Sequence, residues 1–375
     1  MAITEKYVSS AGGGAHDGST EADAFSWAEM VTDINLGGKA GNRYNVKGSV
    51  SRTTTTDTVT GDGSLTSPII IRGYSSTIGD AYLGRTSSNG DLITTNMPAI
   101  SYTTGSWSAG GATHIIYESL NISGANSGAT WAVGAAVVLF RCVASNSSTG
   151  ATAIAINFGG ENASVIDCDA SLTGASGGRA AISITSNCIA AGNRVKGGPA
   201  AGFYCNANGV VALIDNLIYD CGTIGVNSVS TLNRNLFYGN TIVGCGGDGI
   251  DIVTGTTFLS VAMNNMITDG SAWGIDGVSA ANAIFVAYNR TRDNTSGAIN
   301  SATDWITAST FSHVTTDTGG SETDYTAAGS DDYTLISASP AKGVGHFIPR
   351  SIGCLQASAG GGILTHPGMA GGMRG

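Results

Sequence analysis

The stretch "FYGNTIVG", centred on Asn240, recurs along this chain at a nearly constant spacing, and that beat limits the folds open to it. The same neighbourhood returns at Leu120, Cys142, Cys168, Asn193, Asn216, Asn265 and Asn289. Successive intervals along the eight copies are 22, 26, 25, 23, 24, 25 and 24 residues. A fixed period of this length marks a stacked repeat. Nine residues after the later anchors stands a second column, Gly202, Gly225, Gly249 and Gly274, with Ala298 in the last copy, each followed by an apolar residue. Two or three strands of about four residues, with their turns, fill about 24 residues. Each copy therefore reads as one coil of a parallel β-solenoid.

Stacking explains what occupies the columns. Parallel strands lie about 4.8 Å apart, so equivalent positions of successive coils sit on top of one another. Asn193, Asn216, Asn240, Asn265 and Asn289 are expected to form an internal ladder in which each side-chain amide bonds to the next, satisfying polar groups that burial would otherwise strand. Asn also tolerates the left-handed backbone expected at a bend between strands. Cys142 and Cys168 precede the ladder, a change from thiol stack to amide stack. Val195, Ile218, Ile242 and Ile267, two residues after the anchors, are expected to fill the core.

Composition agrees. The 375 residues include 56 glycines and only 12% charged residues, which suits strands and turns rather than long helices. A net charge of −10 without any Lys/Arg cluster argues against nucleic acid or anionic lipid as partner. The opening "MAITEKYVSS" has Glu5 and Lys6 where an export signal needs an apolar core, and no stretch reaches membrane-spanning length, so a cytosolic start is expected. Seven cysteines without a Cys-x-x-Cys pair make neither a disulfide framework nor a zinc knuckle, and most lie in apolar runs as small buried hydrophobes.

An open solenoid end exposes unpaired strand edges and needs a cap. Residues 1–43 are assigned to an N-terminal cap containing a helix over 22–34, with Ser19 and Thr20 as caps and Phe25, Ala28, Val31 and Ile34 on its buried face. The solenoid proper is placed at 44–310, a C-terminal cap at 311–356, and a Gly/Met-rich tail at 357–375, where Met369, Met373 and Arg374 suit an attachment strap. With these repeats the chain resembles the right-handed parallel β-helix superfamily, the pectin-lyase-like group with its Asn-x-Ile and Gly-Ile repeats. Its opening "YVSSAGGGAHDGSTEADAFSWAEMV" and closing "DDYTLISASPAKGVG" are similar to the terminal segments of many such proteins. The resemblance implies an all-β, single-stranded right-handed solenoid, with functions that vary widely on one scaffold.

Several families on this scaffold cleave polysaccharides, which directs attention to the carboxylates. Tyr204, Asn227, Asp251, Asp276 and Asn300 follow the glycine column by two residues and are expected to face outward. That would set Asp251 and Asp276 on adjacent coils about 5 Å apart at the backbone, near the carboxyl separation of a retaining glycosidase. Such columns are also ordinary solvated faces, and that is the reading preferred here. The resemblance implies that a lyase would carry acidic calcium ligands beside a Lys or Arg base, and a polygalacturonase-like enzyme a larger Asp cluster with Gly-His-Gly; neither set is visible. The five histidines are scattered, without metal-ligand spacing, so no metal or cofactor is expected. Trp107, Trp131, Trp273 and Trp305 are read as plugs for ends and loops rather than sugar platforms.

The chain is also similar to the β-helix proteins of bacteriophage virions, and with the missing catalytic set this resemblance implies a structural virion protein, a capsid decoration, spike or fibre, assembled in the host cytoplasm and displayed on the particle surface. Its expected partners are other virion proteins or itself, as in a homotrimer, with a surface glycan as a further partner. A polysaccharide lyase or glycoside hydrolase, and a carbohydrate-binding adhesin, are the alternatives.

Overall fold

A computed structural model describes residues 3–339 apart from the stretches 54–55, 87–89, 110, 175–177, 186, 207–208, 230–233, 253–259, 278–283, 288, 302–305, 308–314, 318–324, 328–331 and 338. Three parallel sheets of 13, 11 and 10 strands run its length. One coil shows the plan: Val210–Ile214 belongs to the first sheet, Leu217–Cys221 to the second and Val226–Ser228 to the third. Every column expected from the period is in register. Asn216 occupies the corner between the first two strands, Ile218 pairs with Val195 and Ile242, and both neighbours are fully buried.

The ladder is denser than a chain of amide pairs. Asn193, Asn216, Asn240 and Asn265 each donate Nδ2–H to Oδ1 of the asparagine one coil ahead, at 2.9, 3.0, 3.0 and 2.9 Å. Each also donates its backbone N–H to that same oxygen. The second Nδ2 hydrogen reaches a main-chain carbonyl one coil behind, as from Asn240 to Leu213 at 2.9 Å. The thiol stack continues it: the Cys168 N–H donates to Asn193 Oδ1 at 2.9 Å, and the Cys142 N–H to Cys168 Sγ at 3.3 Å.

The left-handed residue at this corner is not the ladder asparagine but its predecessor. Ser119, Arg141, Asp167, Gly192, Asp215, Gly239 and Asn264 have φ between 53° and 69°. One left-handed residue turns the chain and delivers the next side chain inward, which explains why Asp, Asn and Gly recur there. The glycine column answers a different need. A Cβ on Gly225 would lie 2.5 Å from the Gly249 carbonyl oxygen and 2.6 Å from Ile242 Cγ2, so the coils stack there only because no side chain intervenes.

Both ends depart from expectation. Thr4–Ser9 is already a strand of the first sheet, paired in parallel with Asn42–Lys47, so the solenoid begins inside the segment assigned to the cap. The helix is Trp27–Asn35, starting later than expected because Phe25–Ser26 pairs with Val8–Ser9 and Ser26, not Ser19 or Thr20, is the N-cap. Ser26 and Glu29 form a reciprocal capping box. Trp27, Met30, Val31 and Ile34 face the core, whereas Ala28 is exposed. Trp27 meets Trp107 at 4.9 Å between ring centroids, and Tyr117 meets Trp131 at 5.2 Å, so the tryptophans at this end plug the barrel as expected. Buried Asp57 is held by Trp27, Tyr102 and a bidentate Arg52.

At the other end, Thr315–Asp317 pairs with Arg290–Arg292 and extends the second sheet past residue 310. Tyr325–Ala327 and Asp332–Leu335 form an antiparallel pair that folds back on the outside of that sheet, packing Tyr325, Tyr333 and Leu335 on Leu217, Tyr219 and Met266. The tail at 357–375, with Met369, Met373 and Arg374, lies outside the described residues, as does most of 311–356.

Candidate functional site

The column that carries the two aspartates lies on the third sheet. Tyr204, Asn227, Asp251, Asp276 and Asn300 pair in sequence, each one coil from the next, while Val226, Ile250 and Ile275 beside them point into the core. Asp251 and Asp276 are thus on adjacent coils, but both are partly buried rather than freely solvated. Asp276 Oδ1 accepts a hydrogen bond from Asn300 Nδ2 at 3.1 Å. Asp248, in the turn before, accepts from the Trp273 N–H at 2.8 Å and so fastens the following coil. Burial, then the neighbouring Asp248 and Asp276 charges, push the Asp251 carboxyl up to about 7. Such a group can hold its proton near neutrality and release it just above.

The sign of this shift makes a prediction. The unfolded chain releases the Asp251 proton near pH 4, while the folded chain keeps it to about pH 7. The stabilising contribution is therefore complete below about pH 4, falls as pH rises through about 7, and is then gone. Asp251→Asn, permanently neutral, should match the wild type at pH 4 and exceed it at pH 8. After discounting for solvent screening of a partly exposed group, the gain is about 1–2 kcal/mol. Urea unfolding at pH 4, 6 and 8 measures it; a variant equally stable relative to wild type at all three would remove the charge conflict from this column.

A second constellation went unseen in the sequence. The described residues of 75–98, between the strands Ile69–Tyr74 and Ala99–Tyr102, leave the coil and pack on the outer face of the second sheet. Arg85 reaches Asp167 at 2.9 Å and Asp169 at 2.6 Å, and the Leu92 N–H donates to the other Asp169 oxygen at 2.6 Å. Asp91 pairs with Arg194, whose guanidinium lies 4.3 Å from the Tyr219 ring. Arg141 is sandwiched between Tyr82 at 3.8 Å and Phe140 at 4.3 Å, and bonds Asp167. Ala81, Leu92 and Met97 supply an apolar patch beneath. Farther along, Lys196 pairs with Asp220 at 3.0 Å. Burial raises the Asp169 carboxyl, with Arg85 pulling the other way.

This cluster puts acidic and basic groups side by side, which periodicity does not reveal because Tyr82, Arg85 and Leu92 lie 77 to 85 residues from Asp167 and Asp169, and Asp91 is farther still from Arg194. The sequence signal was slight: Asp169 and Arg194 occupy consecutive places in one outward column of a chain poor in charge. The cluster does not suit a calcium ion. All four oxygens of Asp167 and Asp169 are engaged by Arg85, Arg141, Tyr82 or the Leu92 N–H. Among the described residues no group of three or more His, Cys, Asp or Glu side chains is arranged for a metal.

Other candidates are structural. Six cysteines, Cys142 to Cys245, are buried free thiols, and burial pushes Cys205 up to about 12. His16 pairs with Glu29 at 2.9 Å, and His114 contacts Thr113. Trp107 and Trp131 are buried and Trp273 is partly exposed, while Trp305, His313, His346, His366 and Cys354 lie outside the described residues. No helix among the described residues is long and apolar enough to cross a membrane.

Comparison with known proteins supports the architecture. A family model described as "Right handed beta helix region" matches residues 99–267. A pectate lyase, Pel9A, superposes with a TM-score of 0.67 over 96% of this chain and 98% of its own, at 10% identity. A rhamnogalacturonan lyase gives 0.54 over 86% and 90%, also at 10% identity. The Dettilon tailspike protein gives 0.42 over 71% of this chain and 57% of its own, at 13% identity. No curated protein matches the sequence significantly. For the two lyases, at 10% identity, the likeness is one of fold.

Proposed function

We propose that this right-handed parallel β-helix of the pectin-lyase-like kind is a rigid structural element of a bacteriophage particle, a capsid decoration, spike or fibre component displayed on the virion surface. The observation that carries the reading is the mutual saturation of the charged groups on the second sheet. Arg85, Asp167 and Asp169 are spent on fastening the 75–98 segment to the solenoid, and Asp91 on Arg194. Groups so engaged stiffen a scaffold rather than wait for a substrate. The six buried thiols, free although Cys142 and Cys168 stand one coil apart, suit assembly in a reducing compartment. Low charge and the repeat architecture support a rod-like building block, and the assignment to a phage follows the likeness drawn from the sequence. Mass spectrometry of purified native particles tests it: stoichiometric copies are expected, and a protein found only free of any particle overturns it.

A second reading has one observation in its favour, the adjacent-coil pair Asp251 and Asp276 with a carboxyl that protonates near neutrality. It makes the chain a polysaccharide lyase or hydrolase. Depolymerisation of an acidic or neutral glycan, abolished by both Asp251→Asn and Asp276→Asn, would establish it over the structural reading.

A further inference from the structure

The outer face of the first sheet changes character along the solenoid. In the early coils the companion of its two outward columns is polar, Asn45, Arg72 and Glu118 in register, while the other passes from Glu5 and Arg43 to Ile70 and Ile116; Arg43 bonds Glu5 at 2.8 Å, Asn45 bonds Glu5 at 2.8 Å, and Arg72 bonds Asn45 at 2.7 Å. From Val138–Phe140, the second strand after Ile69–Tyr74, both columns are apolar apart from Ser164. One runs Val138, Ser164, Ile189, Ala212, Leu236 and Val261, in unbroken register. Its companion, from Phe140 through Ile166 and Tyr238 to Met263, is apolar or aromatic at each step. Ile189 is 47% exposed and Val210, at the flank, 51%. No charged side chain interrupts either column over these six strands.

A strand with one face in water normally alternates apolar-in and polar-out, and in the early coils the companion column, through Asn45, Arg72 and Glu118, obeys that rule. Six strands at about 4.8 Å spacing and a strand about 16 Å long make a flat apolar area of roughly 400 Å² in projection. That is the upper range for a free monomer surface and the scale of the apolar centre of an interface burying about 800 Å² per partner. We propose that this face is covered by a second copy of the chain, packed side by side with its solenoid axis aligned. A second copy is the occupant whose rows repeat at the same spacing over the same length, so the ridges of one face seat in the grooves of the other along all six strands. The polar early part of the companion column, ending at Glu118, bounds the contact at one end and supplies its polar rim. A closed dimer or trimer is the expected product.

The test uses the full chain. Sedimentation equilibrium of the wild type up to about 100 µM, a range covering ordinary self-association, is expected to show a discrete oligomer. Ile189→Glu with Leu236→Glu should weaken association at least a hundredfold while circular dichroism and the melting midpoint stay close to wild type, because both side chains point away from the core. A wild type that is monomeric throughout overturns the proposal, as does a folded double variant that still assembles. A monomeric wild type that associates only after removal of residues 341–375 would also overturn it, since the chain's own C-terminal segment would then be the occupant.

Discussion

Asn240→Ala should destabilise the solenoid by about 3–5 kcal/mol, more than any single outward substitution. Its side chain makes four hydrogen bonds inside the core. Oδ1 accepts from the Asn216 backbone N–H and from Asn216 Nδ2, both at 3.0 Å, and Nδ2 donates to the Leu213 carbonyl at 2.9 Å and to Asn265 Oδ1 at 3.0 Å. Alanine leaves the Asn216 N–H and one Asn216 Nδ2–H unbonded and removes one bond each from the Leu213 carbonyl and from Asn265 Oδ1, which keeps the residue-240 N–H, in a region where Asn216, Asn240 and Asn265 have no solvent exposure. Unmade bonds of buried groups cost more than made ones contribute, and water has no room to substitute. Asn193→Cys should cost much less, because Cys168 already shows a thiol accepting the corner N–H of the coil behind it. Guanidinium unfolding of both variants checks this, with hydrogen exchange resolving which coils open. A loss below about 1 kcal/mol for Asn240→Ala would mean the ladder contributes no more than an ordinary exchanged hydrogen bond.

Arg85→Leu is the second large effect. It removes the cation that holds Asp167 and Asp169 and leaves the largely covered Asp169 carboxylate facing an apolar side chain. Breaking one side of a buried ion pair typically costs about 3–5 kcal/mol, reduced here to about 2–4 by residual solvent access. The loss should be local. Each coil is held by its neighbours, so the solenoid persists while residues 75–98 detach from the second sheet. Limited proteolysis should cut the variant within that segment and spare the coils. Arg85→Leu with Asp169→Leu should recover much of the protection, since no charge is then stranded. A single variant as resistant as wild type would show that Ala81, Leu92 and Met97, not the ion pairs, hold the segment down.

These expectations separate what a repeat makes legible from what it hides. The position of each ladder asparagine, the core column at Val195, Ile218, Ile242 and Ile267, and the adjacency of Asp251 and Asp276 follow from counting residues, because each coil contacts only its neighbours and the period converts sequence distance into register. The left-handed conformation at the corner lies one residue before the expected asparagine: the amide that bonds inward and the residue that turns the chain are adjacent, and periodicity alone does not divide their roles. The helix starts later than expected because Val8 and Ser9 recruit Phe25 and Ser26 into a strand, a tertiary contact stronger than local capping preference.

By itself, then, the sequence determined the solenoid, its coil length, its internal ladder and its inward and outward faces, since all of these repeat and are decided by nearest-neighbour stacking. Only the tertiary structure decided where the aperiodic segments went. The described residues of 75–98 and the antiparallel strands Tyr325–Ala327 and Asp332–Leu335 both settle on the second sheet, bringing Arg85 to Asp167 and Tyr325 to Met266 across separations for which no period exists. The partial burial that lifts Asp251, and the bare apolar length of the first sheet, follow from the same cause: a face is open or covered according to where the excursions land, and that is a matter of three-dimensional packing.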